Sequence, residues 1–143
     1  MHCRDAAERM AEILAPLAPR LTAPAVVHCF TGTPEEAAVF LGLGLHVGFT
    51  GWICDEREGR AEALAAAARA VPLDRLLIET DSPYLIPRTI KPSKARPKRN
   101  EPCLLPHVAA AIAAAKGLTI EEVAAATSAN ARRVFNLPEH LFI

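Results

Sequence analysis

The chain has 143 residues, 51% of them apolar, and its 16 Lys and Arg residues are balanced by 16 Asp and Glu. That length supports one domain with a real core, and the neutral total excludes a molecule-wide field, so any steering of a charged partner must be local. No run is long enough to cross a bilayer and no basic-then-apolar stretch lies near residue 1, which makes the cytoplasm the expected compartment and a membrane partner unexpected.

In chain order, a first helix is predicted where Asp5 and Glu8 have capping-box spacing and Met10, Ile13, Leu14 and Leu17 make one apolar stripe. Pro16 and Pro19 bring its end. "AVVHCF", residues 25–30, reads as a short buried strand. Thr33 then caps a helix, with Pro34 at its first position and Glu36 closing the box, and Gly42 and Gly44 stop it. "LHVGF", residues 45–49, is a second strand. An Ala-rich helix follows from about Glu58 to Ala70, opened by Asp55 with Glu58 three residues on. Pro72 precedes a third strand, "RLLIET". Beyond residue 104 the pattern is helical: one helix over roughly 105–116, a second opened by Thr119 with Glu122, and a last short one over about 128–135. Strands separated by single helices make parallel βαβ units, hence an α/β fold.

In such folds function gathers at the carboxyl ends of strands. Those ends carry His28, Glu79 and Asp81, and the opening "MHC" puts His2 where a further strand would end. Glu79 and Asp81 face the same way if the extended backbone continues through them. Two such carboxylates repel, so they need water, a basic partner, a cage of donors or a metal. Two histidines and a carboxylate at strand ends form a plausible ligand set for a divalent cation. The plainer alternative for each histidine is a satisfied core side chain. His46, His107 and His140 have no such companions and read as ordinary. Trp52, in "GFTGWICDE", either packs over the mouth or caps the core. The cysteines at 3, 29, 54 and 103 contain no CxxC pair and read as buried free thiols.

Directly after the acidic strand end, residues 88–99 hold Arg88, Lys91, Lys94, Arg96, Lys98 and Arg99 and no acid. Pro92 and Pro97 keep the segment out of a helix. It suits a polyanion such as a DNA backbone; the alternative is a solvated basic loop.

The blocks "MHCRDA", "VVHCFTGTPEEA", "GFTGWICDE", "LLIETDSPYLIPR", "KRNEP" and "TSANARRVFNL" resemble, in order, those of the TatD family of metal-dependent deoxyribonucleases. "ETDSPYL" followed by "RNEP" is the specific part of a likeness that covers practically the whole chain. The resemblance implies the C-terminal half of a TIM-type (β/α)8 barrel, parallel strands five to eight with C-terminal helices. Residues 1–143 then form a partial TatD-like hydrolase domain. It also implies divalent metal ions (Mg, Mn or Zn) and exonuclease-type hydrolysis of DNA phosphodiesters. His2 and His28 match the family's metal-binding histidines of strands five and six. Asp81 matches the strand-eight aspartate, a metal ligand that orients or deprotonates the attacking water. Glu79 takes a supporting place behind the ligands.

The family's opening HxH pair and its bridging Glu have no counterpart here, and a closed barrel takes about 250 residues. The expectation is therefore an N-terminally truncated nuclease. Two alternatives remain. One is an impaired fragment that binds DNA weakly, self-associates or pairs with a missing N-terminal half-barrel. The other is a related amidohydrolase-like enzyme acting on a small substrate, against which the basic loop argues.

Overall fold

The structure is a computed structural model and describes residues 1–138; His140 lies outside them. Three short parallel strands, β1 (Val26–Val27), β2 (His46–Phe49) and β3 (Leu76–Ile78), form a sheet in the order β1-β2-β3. Helices α2 (Pro34–Gly42) and α3 (Arg60–Ala70) make the two crossovers. Helix α1 (Ala7–Leu14) precedes them, and α4 (Leu105–Lys116) and α5 (Ile120–Phe135) follow.

The register sets Val27 level with Val47, Val47 with Leu76 and Phe49 with Ile78. These side chains share one face by strand alternation and enter the core with Ala37, Phe40, Leu64, Ala67, Ala68 and Ile112. Phe30 locks the sheet to α2, edge-on to Phe40 and Phe49 with ring centroids 6.4 and 5.9 Å apart. The small residues of the Ala-rich helices let α3 and α4 approach closely. Lys116 Nζ then donates to the Val71 carbonyl at 2.7 Å, tying the C-terminal ends of α3 and α4 together. Positions 46, 48 and 77 fall on the opposite face of the sheet, where the Glu79 carboxylate comes up against Gly48.

Several local readings need correction. The strand expected over 25–30 is only Val26–Val27, because Cys29 takes φ 50° and turns the chain off the sheet. The capping box at Asp5 and Glu8 does not form. Asp5 has φ 52°, Ala6 occupies the N-cap without a side-chain bond, and Ile13 and Leu17 remain exposed. Helix α3 starts at Arg60 rather than Glu58, since Glu58 and Gly59 both adopt positive φ. Helix α5 is continuous, where two helices were expected. All four cysteines are free, but Cys103 is exposed. The boxes at Thr33/Glu36 and Thr119/Glu122 form as predicted.

Candidate functional site

The carboxyl ends of the strands hold a line of three side chains. Met1 and His2 run beside β1: the Met1 amino group donates to the Val26 carbonyl, the His28 amide donates to the Met1 carbonyl, and His2 bridges His28 in parallel. This pairing brings His2 Nδ1 to 3.1 Å from His28 Nε2. On the other side, His28 Nδ1 lies 3.4 Å from Glu79 Oε2. Glu79 Oε1 accepts the Cys29 amide at 2.5 Å. The left-handed turn at Cys29 is what aims that amide across the sheet. Gly48 makes the crossing possible, because a Cβ there would stand 2.7 Å from Glu79 Oε1. Sequence reading missed Gly48; a glycine inside an otherwise β-rich strand was the available signal.

Asp81 does not extend that line. The strand stops at Ile78 and Asp81 takes φ 55°, so the alternation that would put Glu79 and Asp81 on one face ends before it applies. Asp81 instead lines a cavity of about 440 Å³ with His2, Cys29, Trp52 and Arg60. Burial pushes the Cys29 thiol up, and the charges of Asp81 and Glu79 act in the same direction. Trp52 both packs against the core and walls this mouth, with the Arg60 guanidinium 4.9 Å above its ring.

The donor set fits a divalent cation only in part. Two ring nitrogens 3.1 Å apart have the separation expected of neighbouring ligands roughly 2.1 Å from one ion. A carboxylate behind the second imidazole is the usual device for fixing its tautomer. Among the described residues, however, no three His, Cys, Asp or Glu side chains cluster closely enough to hold a metal.

The six basic residues of the loop are not equally available. Arg96 donates to the Ile90 and Arg88 carbonyls at 3.0 and 2.7 Å and so ties the loop to itself. Arg88 lies 3.6 Å from Asp55, Lys91 3.5 Å from Glu56 and Arg99 3.4 Å from Glu101. Lys94 and Lys98 form no ion pair among the described residues.

Asp55, expected to open α3, is a buried hub for arginines. Arg57 reaches it at 2.6 and 2.8 Å, and Arg60 lies at 3.6 Å. The hydrogen bonds from Arg57 outweigh burial and hold its carboxyl down at about 2. Asn100, of the "RNEP" segment, is 2% exposed. Its Nδ2 donates to the carbonyls of Thr80, Tyr84 and Leu85 at 2.8, 2.6 and 3.2 Å, which pins the turn after Asp81.

Parallel βαβ units with polar side chains at the strand ends define an α/β protein with its site at the carboxyl ends of its strands. The comparisons narrow that class. The family model described as TatD related DNase matches residues 1–136, and the chain belongs to that family. It is 49% identical over 137 residues to a protein of Pantoea ananatis named 3'-5' ssDNA/RNA exonuclease TatD, covering 96% of this chain and 51% of the relative. A protein of the same name from Erwinia tasmaniensis is 50% identical with the same coverage. The solved structure of YJJV, a TatD homologue from Escherichia coli K12, superimposes with a TM-score of 0.77 at 28% identity, over 96% of this chain and 49% of that one. The chain thus spans about half the length of the curated relatives it matches.

Proposed function

We propose that residues 1–143 are a partial hydrolase domain, strands five to eight of a TIM-type barrel, that hydrolyses DNA phosphodiester bonds with divalent cations as a 3'-5' exonuclease on single strands. The observation that carries this reading is the line from His2 through His28 to Glu79 at the strand ends. Glu79 Oε2 stands 3.4 Å behind His28 Nδ1, on the side of the imidazole away from His2, where a carboxylate can orient a ligand ring. His2 and His28 are the imidazole ligands, and Asp81 is the carboxylate that takes a proton from the attacking water. A bound divalent ion (Mg, Mn or Zn) would supply an acidified water and draw charge from the phosphoryl oxygens. Lys94 and Lys98 meet neighbouring phosphates, while Arg88, Lys91, Arg96 and Arg99 form the positive wall behind them. A cytoplasmic setting goes with this activity, and no single helix among the described residues is long and apolar enough to cross a membrane.

The test is to incubate the purified chain with 3'-labelled single- and double-stranded DNA and Mg²⁺, Mn²⁺ or Zn²⁺. Slow, cation-dependent release from the 3' end, lost in His28→Ala and Asp81→Asn, is the expected result. Cleavage that persists in excess EDTA sinks the proposal. One observation favours a second reading: only two donors meet among the described residues. In it the chain binds DNA weakly or associates with itself or another half-barrel, and its signature is binding without cleavage.

A further inference from the structure

We infer that Tyr84 and the cavity beside it form a nucleobase subsite, in which one base of a single-stranded substrate stacks on the Tyr84 ring. The inference rests on the nuclease reading for its substrate class.

Tyr84 is 70% exposed, more than any other large apolar side chain among the described residues. An exposed ring alone signifies little; what surrounds this one gives it meaning. The backbone beneath it is held from three sides. The Tyr84 amide donates to the Asp81 carbonyl at 3.0 Å. The Tyr84 carbonyl accepts Asn100 Nδ2 at 2.6 Å, and the Asn100 amide donates to the Pro83 carbonyl at 2.9 Å. Gly51 seats the next residue so closely that a Cβ at position 51 would strike the Leu85 carbonyl. The turn is fixed by partly buried hydrogen bonds while its aromatic side chain stands in solvent. A ring with two rotatable bonds on a fixed base loses little entropy when a planar group stacks on it.

The cavity beside the ring has the right neighbours. It measures about 510 Å³, and Tyr84, Trp52, Ile86 and Pro97 give its largely polar walls a set of apolar surfaces on which a flat heterocycle can rest. Its lining holds three guanidinium groups, of Arg57, Arg88 and Arg96, and the single carboxylate of Asp55, so its charge favours an anion-bearing ligand. Trp52 and Leu85 also line the cavity that holds His2 and Asp81, so the two spaces adjoin. A strand whose reacting phosphate lies at the Asp81 side can therefore place an adjacent base against Tyr84. Lys94 and Lys98 remain for its phosphates. Stacking accepts any base and demands an unpaired one, so the subsite selects single strands without selecting sequence.

The experiment uses the 143-residue chain in EDTA, with fluorescence anisotropy read on a 5'-labelled oligothymidylate and on an abasic strand of equal length. Wild type should bind the base-bearing strand about tenfold more tightly, the loss of one stacked base. Tyr84→Ala should erase that preference with an unchanged salt slope, and Tyr84→Phe should keep it. Trp52, the sole tryptophan, gives a second reading: its emission should change with the base-bearing strand and not with the abasic one. That readout needs no variant. Salt-dependent binding of both strands with no preference, or a Tyr84→Ala variant that keeps it, overturns the subsite and leaves the nuclease reading intact. Binding of neither strand also overturns the subsite, and the cation-dependent cleavage assay then decides the nuclease reading by itself.

Discussion

His46 and Asp55 are both buried, and they resist protonation for different reasons. Neither ring nitrogen of His46 has a partner in the structure. Desolvation holds its imidazole below the ordinary value near 6.5, with Arg75 and Arg133 pushing the same way against Asp74 and the Ala25 carbonyl. The unfolded chain takes up that proton at a higher pH than the folded one, so stability is full above about pH 6.5 and declines below it. His46→Phe should flatten this limb in melting temperatures measured from pH 8 to 5; an unchanged slope would assign the limb to another group. Asp55 acts lower. Its folded value of about 2 lies below the ordinary 3.8, so its contribution, about 2 kcal/mol, is present above pH 4 and lost as pH falls toward 2. Urea titrations should show the gap between wild type and Asp55→Asn closing across that window. A constant gap would mean that the carboxylate charge is not what matters. Sequence spacing pointed to Asp55 as a helix cap because Glu58 lies three positions further on. Arg57, Arg60 and Arg88 converge on it only once the chain folds, and their separations carry no periodic signal. The histidines at strand ends were legible, since parallel topology alone brings those positions together. The direction of Asp81 was not, because it depends on a left-handed backbone angle at a non-glycine residue.

Helix α5 shows why element boundaries are harder to read than element types. Its "TSAN" stretch looks like a break because Ser, Thr and Asn compete for backbone bonds. In the fold that competition is satisfied within and beside the helix. Thr127 Oγ1 donates to the Val123 carbonyl at 2.8 Å, one turn back. Asn130 Nδ2 donates to the Leu73 and Leu76 carbonyls, both at 2.8 Å, and so fastens α5 to the start of β3. Asn130 is 2% exposed, so Asn130→Ala removes a buried donor from two carbonyls, of which that of Leu73 keeps the Leu76 amide, and should cost about 1–3 kcal/mol in urea unfolding. A loss under about 0.5 kcal/mol would show that water replaces the amide. The Thr119 box was readable from four residues, because both of its bonds are local. Thr119→Ala should cost about 1 kcal/mol, measured in the same way.

At the scale of the molecule, the sheet is open. Among the described residues, β3 has a neighbour only on the β2 side, and the Met1–His2 segment has one only on the β1 side. Unpaired edges invite another chain, and the curated relatives are about twice as long. The catalytic consequence follows from the donors. A hydrolytic cation needs enough fixed ligands to hold it and one position left for water, and here two imidazoles meet without a third close donor among the described residues. We therefore expect weak cation binding by calorimetry, and exonuclease turnover far below that of a full-length relative. Sedimentation should show the chain self-associating. Co-expression with the N-terminal half of a relative such as the Pantoea protein should give a one-to-one complex, tighter cation binding and faster release from single-stranded 3' ends. His28→Ala in this chain should abolish the gain, because the restored site still needs its imidazole. Rapid cleavage by the lone chain, at the rate of a full-length relative, would mean that His2, His28 and Asp81 suffice and that the open sheet does not limit catalysis.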